Sequence, residues 1–427
     1  MKFEVKELMS FLDKAHSAFH GVALLQEMLE NAGYTCLNEA DCWQLQPGGK
    51  YYMTRGGCAL MAWRIPEGEA KGFLLSASHS DRPTFKVKEN GELTGPYTRL
   101  SVERYGGMII APWLDRPLSI AGRVTVETEN GVENRLVDID KDLMLIPNVA
   151  IHMNRTINDG YKWDLTRDVL PLLGGKNAAG KLEKLINKAA GGKILGSDLF
   201  LYVRDKAKVW GIDKEYISAP ALDDLACAWC CTKGFLQADE SKAVPVLCVF
   251  DNEEVGSASN QGADSKLLEL LLSRICAACG YDEASMLASS MLVSADNAHA
   301  LHPNHPELAD KANAPIMGRG VVLKFNAAQR YTTDGVSASV FRRICGKAGL
   351  PLQTFTNRPD IRGGSTLGHI SLTHVSVPTA DIGLPQLAMH SCYETAAVAD
   401  IGHLVNAMTA FYNATLEVTH DGGCIIR

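Results

Sequence analysis

Hydrophobic and polar positions along this chain fall into three textures. In the first residues, apolar positions alternate at helical spacing with Lys2, Glu4, Lys6, Glu7, Asp13 and Lys14, and the pattern predicts a helix running through Phe11. A second helix is predicted over residues 22–29, with Asn31-Ala32-Gly33 as its stop signal. Residues 51–54 and 59–63 then read as strands around an Arg55-Gly56-Gly57 turn. Three further runs, 72–77, 244–250 and 290–294, are short and almost wholly apolar, the texture of buried strands. Each is followed at once by side chains able to do chemistry: His79, then Asp251 to Glu254, then Asp296. Ligating residues at the ends of hydrophobic strands, with helical segments between, predict an α/β fold with its site off the strand ends.

The third texture covers residues 91–212, where strand-and-turn segments such as 119–126 precede an Asn130-Gly131 hairpin signal. This stretch separates His79 from the later acidic residues. It reads as an insertion, so that residues 1–90 and 213–427 form the two parts of one catalytic domain.

Composition narrows the class. At 427 residues the chain can bury a large core, and 46% hydrophobic and 21% charged residues are ordinary for a globular protein. A net charge of -7 without a basic stripe excludes nucleic acid as an expected partner. No run approaches the ~20 apolar residues of a membrane span, and the N-terminal segment lacks a signal-peptide pattern. A cytoplasmic protein with no membrane partner is the expectation. Twelve cysteines include Cys227/Cys230 and Cys276/Cys279 at CxxC spacing, but both pairs sit in apolar helix-like stretches. They are expected to be reduced core thiols. Gly175 to Lys181 resembles a phosphate-binding loop, yet Leu182 stands where a magnesium-binding Ser or Thr is needed, leaving a Gly-rich turn before a helix over 182–190.

The chemistry lies in five segments: His79 in SHSDRP, Asp223 in PALDDL, Glu254 in DNEEVGS, Asp296 in SADNAHA and His390 in AMHSCYE. Imidazole nitrogen and carboxylate oxygen are zinc ligands, and two ions ~3.5–4 Å apart share at least one bridging group. One shared carboxylate and two private ligands per ion make five. Asp223 is the candidate bridge, with His79 and Asp296 completing one position and Glu254 and His390 the other. Cobalt or manganese would suit the same ligands. Asp81, two residues after His79, is placed to orient the imidazole. Glu253, beside a ligand, is placed to take a proton from an activated water and return it to the leaving amine. Taken alone, the ligand order leaves open a dinuclear hydrolase and a coincidence of polar residues.

The wording around these residues is more specific. YTRLSVERYGGMI, PWLDRPLSIAGRV, IHMNR, FDNEEVGSASNQGA, SADNAHALHPNHPE and DIGLPQLAMHSCYE together resemble the aspartyl aminopeptidase family of co-catalytic zinc peptidases, over residues 11–411. The resemblance implies a zinc-peptidase-type mixed sheet flanked by helices, an inserted mainly β dimerisation domain, and a tetrahedral homododecamer built from dimers. It implies two zinc ions per subunit, the five ligands above, Glu253 as general base and peptides as substrates. It further implies that His152 reaches a neighbouring subunit's site, and that Lys324, Tyr331 and Asp360 lie near the substrate. Relatives usually carry Arg-Leu-Asp-Asn where this chain has Ala221-Leu222-Asp223-Asp224, and a proline and a cysteine where it has Arg362 and Gly363. These departures bear on the acidic preference that the family name carries. A neutral or hydrophobic preference is the first alternative; a dinuclear amidase or carboxypeptidase, or a non-catalytic self-assembling shell, are the others.

Overall fold

The protein is described by a computed structural model over residues 4–239, 241–361, 363–364 and 366–427. Arg362, one of the departures noted above, lies outside the described residues.

Nine strands among the described residues form the main sheet: β1 (Thr35–Cys36), β2 (Lys50–Arg55), β3 (Ala59–Arg64), β4 (Phe73–His79), β5 (Val244–Phe250), β6 (Met291–Ala295), β7 (Val321–Phe325), β8 (Leu352–Thr356) and β9 (Thr379–Gly383). Across the sheet the order is β1-β2-β3-β5-β4-β6-β9-β7-β8. At its centre β5, β4, β6 and β9 run parallel, while β3 and β7 pair antiparallel on either side. Every residue of β4 and β5 is buried, which explains their unbroken apolar sequences: a parallel strand with both faces covered has no polar side.

Alternate residues of β4 feed two different cores. Leu74 joins the layer holding helices Leu222–Gln237 and Val398–Tyr412, while Phe73, Leu75 and Ala77 pack with helix Leu267–Cys279 on the other face. The two helices of the first layer approach closely at Gly234, where an added Cβ would lie 2.5 Å from the Met408 Cβ. Cys227, Cys230 and Cys231 are buried on one of these helices, and all twelve cysteines are free thiols.

A second sheet has six strands, in the order Gly131–Asp138, Leu118–Thr128, Ile194–Val203, Thr84–Leu93, Tyr97–Tyr105 and Leu172–Gly175. Its core is built from residues such as Phe85, Ile120, Val124 and Leu201, roofed by Leu182 and Ile186 of helix Lys181–Ala190. The Asn130-Gly131 turn joins Leu118–Thr128 to Gly131–Asp138, with Thr128 opposite Gly131. A third, five-stranded sheet pairs Tyr216–Ala219 antiparallel with Glu394–Ala397 and sets Ala219 opposite Glu394. None of the helices among the described residues is long and apolar enough to cross a membrane.

The helix expected over 22–29 is longer, Ala18–Asn31, because Ser17 caps it: its hydroxyl accepts from the His20 backbone N–H. The strand expected over 290–294 runs Met291–Ala295, one residue later.

Candidate active site

Parallel strands end on the same side, so β4 and β5 deliver their last residues together: His79 pairs with Phe250, and the Ser80 N–H donates to the Phe250 carbonyl at 2.8 Å. Asp251 to Glu254 follow β5, and Asp296 follows β6. Asp223 enters from the start of helix Leu222–Gln237 and His390 from the turn after Pro385–Leu387. Neither location obeys a periodic pattern. Ala221 (φ 56°), Asn252 (φ 61°) and His390 (φ 66°) all take the left-handed backbone that non-glycine residues rarely adopt. Such conformations persist where surrounding bonds over-determine them, and they concentrate at functional sites.

Three overlapping groups of ligand atoms lie within 4.8 Å of one another: His79, Asp223 and Asp296; His79, Glu253 and Glu254; Asp223, Glu254 and His390. Asp223 faces both sides of the cluster. Its Oδ1 is 3.7 Å from His79 Nε2 and its Oδ2 is 3.6 Å from His390 Nε2, which in turn is 3.4 Å from Glu254 Oε2. Asp223 Oδ1 and Glu254 Oε1 are buried and have no hydrogen-bond partner among the described residues. A buried carboxylate oxygen without a donor is costly, and several together are costlier still. Burial and then Asp296 push the Asp223 carboxyl up to about 6, although His79, His390 and Lys324 oppose this. Burial, reinforced by Asp296, Asp81 and Asp223 against His79, pushes Glu253 up to about 8. A cluster of imidazoles and crowded carboxylates with unused oxygens is the donor set of a divalent cation, and these residues fit zinc.

A second ring of side chains fixes the first. The Asp81 carboxylate lies 3.2 Å from His79 Nδ1, and the Asp81 carbonyl is 3.1 Å from the same nitrogen. The same carboxylate accepts from the Glu253 N–H (3.1 Å), the Glu254 N–H (3.2 Å) and the Tyr105 hydroxyl (2.6 Å). Tyr105 accepts in turn from the Asn252 side-chain amide at 2.8 Å. One carboxylate thus sets the imidazole and the two glutamates together. Tyr105 ends the strand Tyr97–Tyr105, so the six-stranded sheet touches the site directly. Beyond it, a Cβ on Gly106 would lie 3.1 Å from the Glu254 Cβ, and the Ile109 N–H donates to the His390 carbonyl at 3.0 Å. Asp224 is fully buried and its Oδ2 accepts from the His79 N–H at 3.2 Å. Burial holds its carboxyl well above the usual range and favours the neutral acid.

The remaining candidates are placed differently. Lys324 is 1% exposed, and its ammonium donates to the Asp296 carbonyl at 2.8 Å and lies 3.8 Å from the Asp296 carboxylate. Tyr331 stacks its ring 5.0 Å from that ammonium and packs near Phe355. Asp360 is exposed and held by both arms of Arg358, at 2.6 and 2.5 Å. His152 sits in an exposed turn with Val149, Ile151 and Met153 also exposed, and among the described residues shares no hydrogen bond or ion pair with the cluster. Beside His390, a cavity of about 300 Å³ is lined by His299, His302, His305, Asn357, Arg358 and Gln386, among others. The Gln386 side-chain nitrogen is buried there and has no hydrogen-bond partner among the described residues.

Tyr105, Asn252 and Glu394 escaped the sequence reading. Tyr105 and Glu394 stand inside the quoted segments YTRLSVERYGGMI and AMHSCYE, but nothing in their spacing announces a bond to a residue over a hundred positions away.

A hydrolase built on an α/β sheet, with a cluster of metal-ligating side chains off the parallel strand ends, is the class this fold and site define. Residues 11–412 match the family model of the aminopeptidase I zinc metalloproteases (M18). A probable M18 family aminopeptidase 2 of Clostridium novyi is 42% identical, over 97% of this chain and 100% of its own. Among solved structures, Ape4 in complex with Nbr1 superimposes with a TM-score of 0.91 at 32% identity, covering 96% of this chain and 85% of that one. The mApe1 dodecamer of S. cerevisiae matches with a TM-score of 0.85 at 26% identity over 95% of each chain. The chain belongs to the M18 family and is a zinc metallo-aminopeptidase.

Proposed function

We propose that this aminopeptidase removes acidic N-terminal residues from peptides by general-base attack of water, with two zinc ions per subunit. The observation that carries the reading is the two-sided Asp223, with one oxygen toward His79 and the other toward His390. His79 and Asp296 would hold one ion, Glu254 and His390 the other, and Asp223 both. Bound zinc would supply Lewis acidity toward the scissile carbonyl and make a nearby water easier to deprotonate. Glu253 faces the same space as His79 and Glu254, so its carboxylate takes the proton from the attacking water and delivers it to the departing amine. Asp81 keeps the His79 ring and the Glu253 backbone in register while this happens.

The cavity beside His390 is the proposed seat of the N-terminal side chain, because His299, His302, His305 and the unpaired Gln386 amide offer it donors. Lys324 acts through Asp296, which it holds by the backbone carbonyl. Tyr331 sets its ring against the Lys324 ammonium and against Phe355, which lines the cavity, and Asp360 orients Arg358 at the cavity wall. Residues 91–212 are the proposed dimerisation unit, and the exposed turn carrying His152 is the proposed contribution to a neighbouring subunit in a dodecamer. A neutral preference is favoured by one observation: Arg358, which lines the cavity, and Lys324 both already have carboxylate partners.

The deciding experiment is turnover of the zinc-loaded protein on aminoacyl substrates with Asp, Glu, Leu, Lys and Ala termini, with N-acetylated controls. Preferential cleavage of Asp and Glu is expected. Cleavage led by Leu or Lys overturns the acidic preference and leaves the aminopeptidase.

A further inference from the structure

The two least regular ligand positions, Asp223 and His390, share one partner. Glu394 is 1% exposed; its Oε2 accepts from the Asp223 N–H at 2.9 Å and its Oε1 from the His390 N–H at 2.8 Å. Both carboxylate oxygens are therefore spent on the backbones of two residues that come from opposite ends of the second part of the chain. Its placement follows from strand pairing. Glu394 opens the strand Glu394–Ala397 opposite Ala219, which leaves only Pro220, Ala221 and Leu222 before Asp223. On the other side, three residues separate it from His390. Left-handed non-glycine residues stand beside both bonds: Ala221 two residues before Asp223, and Ala388 (φ 57°) two residues before His390, which is itself left-handed. The two Glu394 acceptors, on the Asp223 and His390 N–H groups, hold the ends of these irregular stretches in place.

We infer that Glu394 is a positioning residue that sets the separation of Asp223 and His390, and thereby the zinc affinity of the position those two share with Glu254. The inference rests on the ligand assignment proposed above. Glu394 acts through two backbone N–H groups. A glutamine in its place offers one carbonyl oxygen and one NH₂, so one of the two backbone donors faces another donor. Outer partners of metal ligands commonly change metal affinity by about 10–100-fold when altered.

The test is zinc binding by full-length Glu394→Gln in a metal-buffered titration, with ICP stoichiometry, alongside wild type and His390→Ala. The expected result is about tenfold weaker binding of one of two zinc equivalents, with a melting-temperature loss that is larger in the zinc-loaded than in the EDTA-treated protein. Glu394→Asp, which keeps the charge but shortens the reach, is expected to show the same selective loss and decides the matter if the glutamine variant does not fold. Wild-type zinc binding in both variants, or equal melting losses with and without zinc, overturns the inference, as does failure of both to fold. If His390→Ala itself leaves zinc binding unchanged, the ligand assignment falls first; if it weakens zinc and Glu394→Gln does not, the clamp alone is wrong.

Discussion

Glu253 is the residue on which the proposed chemistry turns. It neighbours a ligand without being needed as one, and its carboxyl lies in a buried space shared with His79 and Glu254. Glu253→Gln removes proton transfer while preserving shape. It is expected to keep the zinc stoichiometry of the wild type and to lower kcat by about 100-fold or more, the usual range for a lost general base. Steady-state kinetics paired with ICP on the same preparation checks this; near-wild-type turnover would remove Glu253 from the role. At this scale the sequence was informative wherever a residue type implied its own chemistry, as with the histidines and the adjacent glutamates. It was silent where a side chain serves through a bond to distant backbone. Glu394 reads as any glutamate after a tyrosine, and Tyr105 as one aromatic at a strand end. Lys324 is a candidate through the resemblance alone, and no residue pattern announces that its buried ammonium donates to the Asp296 carbonyl.

Strands β4, β5 and β6 were legible because full burial on both faces leaves no polar position to blur the run. The start of helix Ala18–Asn31 was not, since it depends on a cap at Ser17, and neither was the five-stranded sheet, whose short strands carry no strong period. Two consequences belong to these elements. Helices Leu222–Gln237 and Val398–Tyr412 touch through Gly234, so Gly234→Ala forces the Met408 side of the contact apart. It is expected to cost about 1–3 kcal/mol, read as a lower midpoint in urea. His20, at the start of Ala18–Asn31, is lowered to about 4, chiefly by burial and further by His16 and Arg82, with Asp138 opposing. Its folded value lies below its unfolded one, so between about pH 6.5 and 4 the unfolded chain binds a proton that the folded chain refuses. The stability contributed by neutral His20 is complete above that window and is lost as pH falls through it. Unfolding midpoints at pH 7 and pH 5 should therefore differ less in His20→Asn than in the wild type; an equal difference would exclude His20 as a source of acid sensitivity.

For the whole molecule, the exposed apolar turn at Val149, Ile151 and Met153 makes sense if His152 works on another subunit. Native mass spectrometry is expected to give about twelve times the subunit mass, and subunits carrying His152→Ala, mixed and reassembled with Glu253→Gln subunits, are expected to recover activity that neither has alone. A mixture as inactive as its components would place His152 outside the neighbour's site. The gathering of ligands from positions 79 to 390 carries a further consequence for how the enzyme is made. The central neighbours β4 and β5 are separated in sequence by the whole six-stranded sheet, so the catalytic core cannot close until that sheet's residues have been synthesised. His390, the last of the proposed ligands, is added to the growing chain more than three hundred residues after His79. Until His390 is in place the growing chain carries acidic and histidine residues that have nowhere to converge, which keeps the proposed peptide-cutting centre from forming on it.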